Sequence, residues 1–226
     1  MTTIRSPGRP PVASELQRAH KIVVYAHGTA GSLLAGYNSL GQARGRGAPS
    51  DEQQDLLRAM LVFAGAGLDA CAQQIVRDAL PSLAAKHEEA RTALVGFAAR
   101  QLRQSASDAG SVDARVLAIL LLGNPEKNVI EMLVDDLTRS SMQSVEELKR
   151  VAAHLGVAKD KQLMGRIDGV RTAFSVRNRI SHDMDVDFTS NPRRNRTLRR
   201  RADMVRDANG LLGVADALIV AVDKAL

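Results

Sequence analysis

The sequence predicts an all-α fold, an up-and-down bundle of amphipathic helices. Apolar residues recur at three- and four-residue steps in segment after segment, and no strand-like alternation stands out. Aromatic residues make up only 3% of the 226-residue chain and Trp is absent, so Leu, Val, Ile, Ala and Met must build the core. That palette suits helix better than sheet. The segments are also punctuated as helices are, with Ser or Asn ahead of them and Gly or Pro behind. A chain of this length buries a sizeable core without metals or disulfides.

The elements follow in order. Residues 1–14 hold three prolines and a glycine without periodicity, and read as a flexible tail. A helix is expected from Glu15 to Leu40, with Leu16, Ala19, Val23, Ala26, Ala30, Leu33, Leu34 and Tyr37 facing inward and Gly28, Gly31 and Gly36 weakening it. Gly41 to Ser50 reads as a loop that ends on Ser50 as an N-cap. The next helix carries Leu57, Met60, Leu61, Ala64, Leu68, Cys71, Ile75 and Ala79 on one face, and should stop near Leu80-Pro81. A helix over Ser82–Gln104 follows, then a loop at residues 105–111 and a short apolar helix over Val112–Leu122. Asn124 and Pro125 form an N-cap and N1 pair that launches a helix to about Arg139. Ser144 and Glu147 have capping-box spacing, and that helix ends at Gly156. Another runs from about Asp160 into Arg177-Asn178-Arg179-Ile180-Ser181-His182. The last, from about Thr197 to Leu226, aligns Met204, Ala208, Leu211, Ala215, Leu218 and Val222, flanked by Val205, Leu212 and Ile219.

Cys71 has no partner in the chain and an apolar setting, so it reads as a small core residue. The longest apolar run, Val116 to Leu122, is far short of the ~20 residues that cross a bilayer. The N-terminus lacks the apolar stretch of a secretory signal, and a cytoplasmic protein with no membrane partner is the expectation. His20, His27, His87 and His154 are scattered without metal-ligand spacing, so neither metal nor cofactor is expected. The net charge of +6 is local. Arg193, Arg194, Arg196, Arg199, Arg200 and Arg201 fall within nine residues, and the other 25 basic residues match 25 acidic ones. Such a patch suits a polyanion such as RNA, unless its arginines pair with carboxylates such as Asp183, Asp185 and Asp187.

One position breaks the pattern. On the penultimate helix the stripe Leu163, Ile167, Val170, Phe174 continues onto Arg177 and then Ser181. A guanidinium that inherits a core-facing position is either paired, set at a cleft or interface, or snorkels at the helix end, because a lone buried charge is very costly. His182 lies five residues on, about 140° around the helix, whereas Asn178 and His182, four apart, share a face.

Arg177-Asn178, three residues and then His182, at the end of one bundle helix and before another, resembles the signature of the HEPN family: an Arg, a polar residue, and a His after four to six intervening residues. The RiboL-PSP-like group of that family is the branch in view. The run LVFAGAGLDACAQQIV is similar to the second HEPN helix, which sets an acidic residue inside an apolar run; Asp69 matches it. The resemblance covers most of Glu15 to Leu226 as a single HEPN-like bundle with extra helices, and residues 105–158 hold the insertion. It implies a metal-independent endoribonuclease that works as a homodimer, with Arg177 and His182 of both copies lining one cleft. His182 would move protons as general acid or base, since an imidazole ordinarily titrates near about 6.5. Arg177 would hold the scissile phosphate, Asn178 would orient the histidine or donate to the phosphate, and Asp69 would position either group. The six arginines just downstream would bind RNA phosphates. The products would be a 2′,3′-cyclic phosphate and a 5′-hydroxyl, and the biological setting a toxin or antiviral defence effector with an antitoxin or other inhibitor protein.

Two other readings compete. One is a HEPN-like module that binds a partner or nucleic acid without catalysis. The other is a helix-turn-helix DNA-binding protein, since residues 145–170 read as helix, turn at Gly156, and a second helix bearing Asp160, Lys161, Gln162 and Arg166.

Overall fold

The computed structural model describes residues 3–44, 47–109, 123–186 and 196–226. Among them it is all-α. After a single 3₁₀ turn at Ser14–Leu16 come α1 (Gln17–Arg44), α2 (Asp51–Lys86), α3 (Glu88–Ala109), α4 (Pro125–Thr138), α5 (Val145–His154), α6 (Lys161–Asp168), α7 (Arg171–Asp183) and α8 (Arg201–Asp223). The helix expected over Val112–Leu122 lies outside the described residues, as do Arg193 and Arg194.

The bundle is organised round α2, which packs along α1 and α8 and also touches α3, α4, α5 and α7. Every residue of the stripe expected on α2, from Leu57 to Ala79, is fully buried. So are the six residues of the α8 stripe and their three flanking partners. By length and composition α2 could cross a bilayer, a property that the search for unbroken apolar runs passes over. In the bundle its apolar face is core: half of its most apolar window is buried against the other helices.

Caps fix the helix ends. Ser50 Oγ accepts from Gln53 N–H while the Gln53 side chain accepts from Ser50 N–H, so both halves of a capping box close at the start of α2. At α5 only half forms. Ser144 Oγ accepts from Glu147 N–H, but the Glu147 carboxylate turns instead towards Arg150, 3.6 Å away. Asn124 caps α4, with Pro125 at its first position.

Several boundaries differ from the sequence reading, each for a local reason. Helix α1 runs four residues beyond Leu40, to Arg44, where a loop was expected. Helix α2 passes through Pro81 and ends at Lys86, with His87 as its cap. The proline ring is exposed, and burying Leu80, Leu83 and Ala84 outweighs the one hydrogen bond it removes. Helix α3 extends to Ala109, through most of the expected loop at 105–111. The long helix expected from Asp160 to His182 is two, broken at Gly169-Val170 where Gly169 N–H reaches both Gly165 and Ile167 carbonyls. Val170 stays buried against Gly210 through the break, so the apolar stripe survives although the helix does not.

The segment expected to be a flexible tail is tied down. Asn209, Asp216 and Asp223, seven residues apart on α8, accept the backbone N–H groups of Arg5, Gly8, and Val12 with Ala13 at 2.8–3.0 Å. Asn209 also donates to Thr3 O at 2.9 Å. Buried His27 of α1 closes the strap, with Nδ1 2.8 Å from Arg5 O and Nε2 3.2 Å from Asp216 Oδ2. Aperiodic composition correctly excludes a helix here, but it carries no record of acceptors some 200 residues downstream.

Candidate active site

Helix α7 sets the geometry. Ala173, Phe174 and Ile180 are its buried residues, and Arg177 lies between them on the same side. The guanidinium stem rests over Gly65 of α2: a Cβ there would lie 3.4 Å from Arg177 Cγ and 3.6 Å from its Nε. Arg177 Nη1 donates to Asn178 Oδ1 at 3.1 Å, while its Nε is shut off from solvent with no hydrogen-bond partner. Burial pushes the Arg177 pKa down, opposed by the charge of Asp69. The stripe therefore does place a half-buried, incompletely satisfied guanidinium on α7. Its next position is different: Ser181 is exposed, and Ile180 takes the core contact.

Asp69 is one turn beyond Gly65 on α2, but its hydrogen bonds go elsewhere. It accepts from Met142 N–H at 2.8 Å, from Gln73 and Gln143 side chains at 3.1 Å, and from Ser141 Oγ at 3.3 Å. It fastens the loop ahead of α5 and acts on Arg177 only through its charge. His182 is exposed, with no partner among the described residues. Because α7 continues unbroken to Asp183, Arg177 and His182 diverge by about 140°. One chain brings Arg177, Asn178 and the charge of Asp69 together, and leaves the imidazole on another side.

Beyond α7 the chain turns sharply, Met184 and Asp185 both adopting left-handed backbone at φ 51° and 59°. The turn drives Asp185 fully into the interior. There its carboxylate accepts from Arg58 Nε at 3.1 Å and from Arg199 Nε at 2.9 Å, with a further bond from Arg199 Nη2. Arg58 also donates to Thr197 O at 2.7 Å and Asp55 Oδ1 at 3.0 Å. Gln54 exchanges two bonds with the backbone of Arg199, and Val186 pairs antiparallel with Arg196. The sequence reading allowed for Asp185 pairing with these arginines, as Arg199 does; the part it missed is the contribution of α2 through Arg58 and Gln54. The signal for that part is Arg58, a charge among the apolar residues Leu57, Met60 and Leu61.

The hub decides much of what the arginine-rich segment can do. Arg199 is committed to Asp185; Arg196 pairs with Asp55 at 2.7 Å and reaches Met184 O; Arg201 donates to Asn38 at 3.1 Å. Arg200 is exposed and without a partner among the described residues. Arg199 and Arg200 line a groove opposite Thr172 and Val176 of α7. Val176 is about 120° around α7 from His182, so this groove faces a different side of the helix from the imidazole. No group of three or more His, Cys, Asp or Glu among the described residues could hold a metal.

The helix-turn-helix segment forms α5, a turn with Gly156 at φ 75°, and α6. Its second helix has only eight residues, and Arg166 lies against Gly213 of α8. No known protein family, curated protein or solved structure matches the chain.

Proposed function

We propose that the chain is a metal-independent endoribonuclease of the HEPN type, acting as a homodimer in which Arg177 and His182 of two copies complete one cleft. The observation that carries this reading is Arg177: a half-buried guanidinium with an unpartnered Nε, five residues before an exposed histidine on the same helix. A guanidinium so placed lacks an anion, and a scissile phosphate supplies one. The divergence of the two side chains within a helix is what a two-fold axis compensates, since the second copy presents its own His182 to the first copy's Arg177.

In this mechanism the imidazole of His182 takes the proton of the ribose 2′-hydroxyl, or gives one to the departing 5′-oxygen. The 2′-oxygen forms its bond to phosphorus as the bond to the 5′-oxygen breaks, leaving a 2′,3′-cyclic phosphate and a 5′-hydroxyl. Arg177 neutralises charge on the non-bridging oxygens, and Asn178, already bonded to it, fixes its orientation. Asp69 supports the Arg177 charge from α2 while holding the loop at 141–143. Arg200 is the described member of the basic segment best able to meet an RNA phosphate; Arg196 and Arg199 serve the hub. A role as toxin or antiviral effector under an inhibitor protein follows from the family resemblance alone.

The test is cleavage of a mixed-sequence RNA in EDTA by the parent chain and by Arg177→Ala and His182→Ala, with the mass in solution measured alongside. The expected result is a dimer whose activity falls at least about a hundredfold in each variant. Activity that survives both substitutions rejects the site. A folded, dimeric chain that binds RNA but never cuts it selects the non-catalytic module.

A further inference from the structure

A second cavity lies between α3, α4 and α5, away from α7. It encloses about 460 Å³ and is lined by Phe97, Arg100, Gln101, Asp136, Arg150 and His154. His154, in the last turn of α5, is 7% exposed, and its Nδ1 is sealed from solvent without a hydrogen-bond partner. In folded proteins such atoms almost always have partners. The ring is held in place by Phe97, edge to face at 6.4 Å and 89°.

The charges around it are unbalanced. Arg150 is answered by Asp136, whose Oδ2 and carbonyl lie 3.0 and 3.1 Å from its Nη2, and more loosely by Glu147 at 3.6 Å. Arg100 has no counter-ion among the described residues. The cavity thus gathers a guanidinium without a counter-ion among the described residues, a second guanidinium with donors to spare and the accessible edge of the His154 ring, against carboxylates already engaged by Arg150. Burial, with Arg100 and Arg150 nearby, holds the His154 pKa below the usual imidazole range, opposed only by Asp136. Two guanidinium groups and a histidine ring border the same cavity.

We infer that this cavity is a binding site for a phosphate group, free or as the monoester of a nucleotide, held by Arg100, Arg150 and His154. The phosphate accepts from the planar fork of Arg100 and from Nε2–H of His154, the ring nitrogen that is not sealed off, and Arg150 adds its charge from the far wall. The site is independent of the nuclease reading.

The experiment follows the His154 ring by NMR through a pH titration of the full chain, with inorganic phosphate, adenosine 5′-monophosphate or acetate at matched ionic strength. Phosphate is expected to raise the His154 titration midpoint by about one unit, because a bound anion favours the imidazolium. Arg100→Ala, which removes an exposed side chain and leaves the packing intact, is expected to weaken phosphate binding about tenfold. Arg91→Ala, the same charge change about 180° around α3 from Arg100, should leave it unaltered. Tighter binding of the monophosphate assigns the source to a nucleotide, and equal binding assigns it to the free ion. A midpoint that phosphate does not move, equal weakening by the two arginine variants, or acetate matching phosphate overturns the proposal.

Discussion

Replacing Asp185 with Asn removes one charge from the interior while keeping the side chain's shape. Asp185 is fully buried and Arg58 is 4% exposed, so the Arg58 donors cannot turn to water when the carboxylate is lost. The amide would keep at most the two hydrogen bonds that reach Oδ2 and present its own N–H₂ to Arg199 Nη2. Breaking a buried ion pair from one side costs about 3–5 kcal/mol. For a chain of this length each kcal/mol lowers Tm by about 2–4 °C, which places the expected fall at about 6–20 °C. Thermal unfolding near pH 7, followed by circular dichroism, measures it. Adding Arg199→Gln to Asp185→Asn removes one of the stranded charges, so the double variant should be less destabilised than the sum of the singles. A Tm within about 2 °C of the parent, or strict additivity, would refute the claim that the hub is a coupled buried network.

Further outcomes follow from the same geometry. Burial resists ionisation of Asp185, but hydrogen bonds and charges from Arg199 and Arg58 overcome it and hold its pKa below the usual carboxylate value. A depressed folded-state pKa contributes stability that is present above the unfolded value near 3.9 and lost as pH falls through the folded value. The stability gap between the parent and Asp185→Asn should therefore narrow below about pH 4 in an acid unfolding series; a gap that stays constant contradicts it. Gly67→Ala would set a methyl group 2.3 Å from Ala26 Cβ, forcing α1 off α2 at a cost of about 1–3 kcal/mol in urea unfolding. Asp216→Ala removes the acceptor of both Gly8 N–H and His27 Nε2. Amide exchange at Gly8 should quicken about tenfold or more while the α2 core keeps its protection.

How much of this was legible in the sequence depended on how local the cause was. The stripes of α2 and α8 were readable residue by residue, because burial on a single helix repeats with the helical period. So were Ser50, Asn124 and Ser144, whose partners lie within three residues. Pro81 misled because its cost is local and its compensation, the burial of Leu83 and Ala84, is tertiary. The strap and the α2 side of the Asp185 hub were illegible for the same reason: they join residues up to 211 and 145 positions apart, and neither carries a periodic signal.

The candidate site falls between these extremes, and its two halves connect. Periodicity alone flagged Arg177, but its stem packs over Gly65 on another helix, and what ends α7 just beyond His182 is the left-handed turn at Met184 and Asp185. A buried charge can hold two successive non-glycine residues in that conformation because Arg58 and Arg199 reward it with three hydrogen bonds. The same bonds take arginines out of the basic patch and fix the remainder beside α8. The Arg-rich segment is therefore first a structural brace for the end of α7. Its net-charge signature overstated its freedom to bind RNA, since two of its four described arginines already have carboxylate partners.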